Sequence, residues 1–105
     1  MKTLETVNEF NDLINKDNII ALFSADWCPD CRVIEPVLPE IEQDFPEYTF
    51  VLVDRDQFIE ICQQYDVFGI PSFIAFKGGK EAGRFVSKDR KTKEEIIEFI
   101  EGVHG

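Results

Sequence analysis

Apolar positions along the chain fall into two kinds of run. Val7, Phe10, Leu13 and Ile14 recur at helical spacing within and after Thr6-Val7-Asn8-Glu9, a capping-box pattern, and Lys16-Asp17-Asn18 ends the predicted helix. Residues 19–24 are too short and too uniformly apolar for anything but a buried strand. Val33, Ile34, Val37, Leu38, Ile41 and Phe45 form the stripe of a helix that starts after Cys28 and runs to about Phe45. Pro36 and Pro39 interrupt it, so a kink is expected. Tyr48 to Val53 reads as a second buried strand, and Asp54 and Asp56 lead into a short helix, Gln57 to Gln64. Ser72–Phe76 and Ala82–Val86 flank Gly78-Gly79 and read as a hairpin, since both turn positions call for positive φ. Thr92-Lys93-Glu94-Glu95 is a second capping box, opening a terminal helix striped by Ile96, Ile97, Phe99, Ile100 and Val103. Strands alternating with helices and closed by an antiparallel pair predict an α/β fold, a mixed sheet sandwiched between helices.

At 105 residues the chain predicts one domain, residues 1–105. With 44% hydrophobic residues and ten Phe, it can build a core without staples. No repeat, linker or low-complexity segment interrupts it. A net charge of −10 disfavours nucleic acid and anionic membrane surfaces as partners, since both need a positive footprint, and serves solubility. Met1-Lys2-Thr3-Leu4-Glu5 has no signal-peptide apolar region, and no run is long enough to span a membrane. Three cysteines, an odd count, do not make a disulfide framework. A cytoplasmic monomer is the expectation.

The candidate chemistry sits at Ala25-Asp26-Trp27-Cys28-Pro29-Asp30-Cys31-Arg32. A strand ending in Cys-x-x-Cys and turning into a helix is the layout of a dithiol redox site. At a helix start, residues three apart share a face, so two sulfurs can reach bonding distance. Unpaired N–H groups and the positive end of the dipole stabilise a thiolate there. Cys28 is thus expected at the N-cap with its sulfur exposed, Pro29 at the first helical position, and Cys31 one turn in and more buried. Asp30 suits the helix dipole but lies near the Cys28 sulfur, where its charge disfavours thiolate. Phe68, Ile70 and Trp27 can form an apolar rim around the cysteines. Cys62 reads as a small buried apolar residue. Zinc held by Cys28, Cys31, Cys62 and His104 ranks far below redox chemistry, because the spacing is unlike zinc modules; no metal is expected. Lys88-Asp89-Arg90-Lys91, the one basic cluster, reads as a solvated loop.

Trp27-Cys28-Pro29-Asp30-Cys31, Pro36, Gly69-Ile70-Pro71 and Phe76-Lys77-Gly78-Gly79 together resemble the thioredoxin family, in order and over nearly the whole chain. The resemblance implies the thioredoxin fold, a central mixed sheet of four to five strands flanked by four helices, and disulfide reduction by a dithiol. It implies Cys28 as the attacking thiolate and Cys31 as the resolving thiol. It also implies Trp27 as a brace of the loop and Pro71 as a cis proline against the disulfide. Gly69 and Ile70 then belong to the substrate-binding segment, with the Ile70 backbone pairing to an extended substrate. From the residues alone, Pro71 could equally start a strand with an ordinary trans bond.

Two departures stand out. Many thioredoxins carry Gly-Pro between the cysteines, and this chain has Pro29-Asp30; related cytosolic proteins with the same Trp-Cys-Pro-Asp-Cys have a narrower substrate range. Thioredoxins also commonly bury an Asp and a Lys as a proton relay, and Leu22 and Leu52 stand at those positions. Asp26 is placed at a strand end, solvated, and not at the relay. The expectation is a thiol–disulfide oxidoreductase acting on protein or small-molecule disulfides without a bound cofactor. Thioredoxin reductase with NADPH, or a low-molecular-weight thiol, would recycle it. The alternative is a thioredoxin-fold binding module or single-client redox partner with little general reductase activity.

Overall fold

The computed structural model describes residues 1–103 and the backbone of His104. Five strands form one sheet in the order β1-β3-β2-β4-β5: β1 Lys2–Thr3, β2 Ile19–Ser24, β3 Thr49–Asp54, β4 Ser72–Lys77 and β5 Lys80–Phe85. The first three in that order are mutually parallel; β4 runs antiparallel to β2, and β5 to β4. Every residue of β2 is buried. Its side chains alternate between two cores, as strand geometry requires. Ile19, Ala21 and Phe23 pack on one face with Phe10 and Ile14 of α1 (Val7–Lys16) and Ile61 of α4 (Ile59–Gln64). Ile20 and Leu22 pack on the other with Ile34 of α2 (Pro29–Ile34), Leu38 and Ile41 of α3 (Leu38–Asp44), and Ile96 and Ile100 of α5 (Lys93–His104).

Both predicted capping boxes have their cap bonds. Thr6 Oγ1 accepts from the Glu9 N–H at 3.0 Å, and Thr92 Oγ1 from the Glu95 N–H at 3.1 Å. The Glu95 carboxylate returns a bond from the Thr92 N–H, whereas that of Glu9 reaches one residue further back, to the Glu5 N–H. Gly78 and Gly79, at φ of 60° and 81°, make a two-residue hairpin turn, so β5 begins at Lys80, two residues before the expected start.

The long helix expected from Cys28 to Phe45 is broken rather than kinked. A 3-10 turn, Glu35–Val37, separates α2 from α3. Pro36 and Pro39 have no N–H to give to the carbonyls four residues back, and two prolines so close remove too many bonds for one continuous helix. Helix α4 starts at Ile59, not Gln57, because the Asp54 carboxylate holds the Asp56 and Gln57 N–H groups at 2.9 and 3.3 Å in a local turn. Strand β1 was not expected: two exposed residues carry no periodicity, and only pairing with Val51 and Leu52 makes them a strand.

Phe10 is 1% exposed, with edge-to-face contacts to Tyr65 and Phe76 at ring separations of 5.9 and 5.6 Å. Phe10→Ala is expected to cost about 3–5 kcal/mol. Urea unfolding should show this as a lower midpoint with an unchanged slope.

Candidate active site

Beyond the end of β2, the Cys28 N–H donates to the Ala25 carbonyl at 3.2 Å, turning the chain into α2. Cys28 is the N-cap of α2, with extended backbone (φ −88°, ψ 109°), and the Cys31 N–H donates to its sulfur at 3.2 Å. Pro29 takes the first helical position, where a missing N–H is harmless. Cys28 and Cys31 are joined as a disulfide with Cα atoms 5.3 Å apart, so this is the oxidised form. The expected exposure of Cys28 needs correction: the residue is only 4% exposed, against 1% for Cys31. Ala25 and Ile70 pack against the pair.

Trp27 is 60% exposed, yet it is held in place. Its indole N–H donates to the Asp56 carboxylate at 2.7 Å, and the Arg55 guanidinium lies 5.7 Å from the ring centroid while pairing with Asp56 at 3.2 Å. Arg55 and Asp56 were not anticipated as site residues; Asp56 was visible only as a lead-in to α4. The Ile70–Pro71 peptide is cis. Ser72 Oγ donates to the Gly69 carbonyl at 2.5 Å, bracing this turn at the start of β4. Gly69 is required by close approach: a Cβ there would lie 2.6 Å from the Ser87 carbonyl oxygen.

The tertiary fold brings the predicted residues to one groove. Trp27, Cys28, Pro29 and Asp30 line it from the α2 start, and Phe68, Gly69 and Ile70 from the loop before β4. Arg55 and Lys88 line it too. Cys31 and Pro71 are buried and do not. Phe68, 65% exposed, belongs to the rim and not to the core.

The loop expected to be solvated is partly internal. Lys91 is 1% exposed, and its ammonium donates to the Ser87 carbonyl and hydroxyl and to the Asp89 carbonyl at 3.3, 3.0 and 3.1 Å. Three acceptors match its three donors, which is what lets an ammonium leave water. Burial nonetheless holds its pKa below the usual lysine value. Arg90 pairs with Asp30 at 3.0 Å, tying this loop to the first turn of α2. A basic cluster near the end of a chain gives no local sign of either contact.

At the relay positions, Leu22 and Leu52 are register partners on neighbouring strands, so two apolar side chains stand where a carboxylate and an ammonium would be buried. Asp26 is exposed; its backbone carbonyl takes two bonds from Arg32. Cys62 lies in the core on the α1 side of the sheet, and burial pushes its thiol pKa up. It is therefore apart from the Cys28–Cys31 cluster, which removes it from any shared metal site. The His104 side chain of that zinc alternative lies outside the described residues. Among the described residues, no group of three or more Cys, His, Asp or Glu is placed to hold a metal ion.

The thioredoxin family model matches residues 2–102. The chain belongs to the thioredoxin family. It is 35% identical over 100 residues to a thioredoxin H-type of Fagopyrum esculentum, covering 90% of this chain and 84% of that one. It is 29% identical over 98 residues to the mitochondrial thioredoxin-2 of Schizosaccharomyces pombe, covering 92% and 74%. The crystal structure of thioredoxin from Trypanosoma brucei brucei superposes with a TM-score of 0.85 at 26% identity, covering 97% of this chain and 88% of that one. Named thioredoxins are disulfide oxidoreductases, and the Cys28–Cys31 pair makes this chain a thiol–disulfide oxidoreductase. No helix among the described residues is long and apolar enough to cross a membrane.

Two outcomes are expected of the reduced protein. The Cys28 thiolate, followed by its ultraviolet absorbance, should form at lower pH in Asp30→Asn and at higher pH in Arg90→Gln, since the first removes a nearby negative charge and the second its neutralising partner. Iodoacetamide should alkylate Cys28 well before Cys62, which should react only on denaturation.

Proposed function

We propose that Cys28 is the attacking thiolate and Cys31 the resolving thiol of a dithiol that reduces disulfides in extended segments of other proteins. One observation carries this reading: Cys28 lines the groove and caps α2, while Cys31, 1% exposed, does not reach the groove. The Cys31 N–H on the Cys28 sulfur supports a thiolate in the reduced form, because a donor favours the charged state.

In the forward reaction the Cys28 thiolate attacks one substrate sulfur in line. A Cys28–substrate disulfide forms, the substrate S–S bond breaks, and the departing thiolate takes a proton from solvent. Cys31 then loses its proton and attacks the Cys28 sulfur. The second substrate thiol leaves, and the Cys28–Cys31 disulfide closes. Two electrons have passed from the dithiol to the substrate. With Leu22 and Leu52 at the relay positions, the proton on Cys31 has no buried carboxylate to go to, so water entering with the substrate is the acceptor in this reading. Trp27, Phe68 and Ile70 supply the apolar surface on which the substrate segment lies, and the Ile70 backbone beside the cis Pro71 supplies its hydrogen bonds. Pro29 and Asp30 shape the first turn of α2.

No bound cofactor is involved. Thioredoxin reductase with NADPH returns the two electrons, in keeping with the family, and a low-molecular-weight thiol is the other candidate reductant. We assign the protein to the cytoplasm as a monomer. A buried free thiol and a pair that must be reduced to act both suit a reducing compartment.

With NADPH and thioredoxin reductase, the protein should reduce insulin. Cys31→Ser should accumulate a mixed disulfide with substrate, and Cys28→Ser should form none and lose essentially all turnover. Full activity in Cys28→Ser would reverse the assignment of roles. Reduction of cystine without insulin would limit the substrate class to small disulfides.

A further inference from the structure

We propose that the Ser87–Lys91 loop is a preformed flank of the groove that brings one cation, Lys88, into its lining. Its Lys88 selects disulfide substrates that carry a carboxylate side chain next to the attacked half-cystine. This inference deepens the proposed function and rests on it.

Three contacts hold the flank in place. Inside the loop, the buried Lys91 ammonium ties Ser87 to Asp89 through all three of its donors. An ammonium buried without partners is strongly unfavourable, so the loop is committed to the conformation that surrounds it. On one side, the Ser87 carbonyl packs so closely on Gly69 that no Cβ fits between them, which seats the loop against the Gly69-Ile70-Pro71 turn. On the other side, Arg90 reaches Asp30 in the first turn of α2. The loop thus touches both segments that flank Cys28.

The charge in the groove then differs from that of the chain. Its charged lining is Asp30, Arg55 and Lys88. Asp30 is neutralised by Arg90 and Arg55 by Asp56. Lys88 is exposed and makes no ion pair among the described residues. A protein of net charge −10 therefore presents an unpaired cation beside its nucleophile. The rest of the lining is the apolar rim of Trp27, Phe68 and Ile70, which suits an extended peptide more than a small, fully charged disulfide. Apolar contact along the segment with one carboxylate facing Lys88 is the complementary occupant. The negative charge of the remaining surface repels acidic segments that do not face Lys88, so a carboxylate is favoured only where it meets that lysine.

Three synthetic peptide disulfides, identical except for Glu, Gln or Lys beside the half-cystine, test this in a coupled assay with NADPH and thioredoxin reductase. At low ionic strength, kcat/KM should fall in the order Glu, Gln, Lys over a range of about three- to tenfold, as one exposed pair allows. The range should shrink in salt. Lys88→Glu should reverse the order, and Lys88→Arg should preserve it. Equal rates for the three peptides, a parent order led by Lys, or an order that survives Lys88→Glu would overturn the assignment. If the parent reduces none of the three, the dithiol reading beneath it fails instead.

Discussion

Strand β2 is hydrogen-bonded on both edges and covered on both faces, and the rest of the structure is arranged around that fact. A segment with every residue buried must have every backbone donor and acceptor paired, and β3 and β4 supply those partners. Its alternating side chains must find apolar cover on both sides, and α1 with α4 on one face and α2, α3 and α5 on the other supply it. The end of such a strand is a fixed point. The chain leaving Ser24 turns within four residues into a helix capped by Cys28, so the sulfur pair sits directly beyond the end of the central, fully paired strand. The flanking strands deliver the remaining parts from the same edge: Arg55 and Asp56 follow β3, and Ile70–Pro71 precedes β4.

Around the sulfurs, the apolar and the polar parts of the groove are built differently. The apolar part is exposed but anchored. Trp27 keeps more than half its surface in water because Asp56 and Arg55 hold its indole from behind. The polar part depends on a lysine taken out of water. Burying Lys91 orders a five-residue loop that has neither helix nor strand to support it, and the ordered loop then contacts both Asp30 and Gly69. Isolated surface ion pairs contribute little to stability. The Arg90–Asp30 pair matters more for where it places charge: it offsets the carboxylate that lies between the two cysteines in sequence.

The apolar relay positions follow from the same core. Leu22 points into the face covered by α2, α3 and α5, and Leu52 lies beside it in register. Two leucines there keep the core continuous up to the active site and avoid the desolvation of a buried acid and base.

The elements whose signal is local were legible in the sequence. The two capping boxes, the glycine pair of the hairpin, the alternation-free β2 and the Cys-Pro-x-Cys cap each encode their structure within a few residues, because caps, turns and thiol spacing are short-range physics. The resemblance to thioredoxins added the cis bond at Pro71, which no local pattern specifies. The misreadings were of another kind. A predicted kink became a break at Pro36, a two-residue β1 existed only through β3, and Cys28 was packed against Ile70, forty-two positions away. Arg90 meets Asp30 across a separation of 60 residues, and Lys91 is buried although its neighbours Lys88, Asp89 and Arg90 are exposed. Burial and long-range charge pairing depend on which segments the sheet brings together. Composition and spacing therefore determined the cysteine cap and the order of elements, while the packing of distant loops decided how covered the sulfur is and which charges face it.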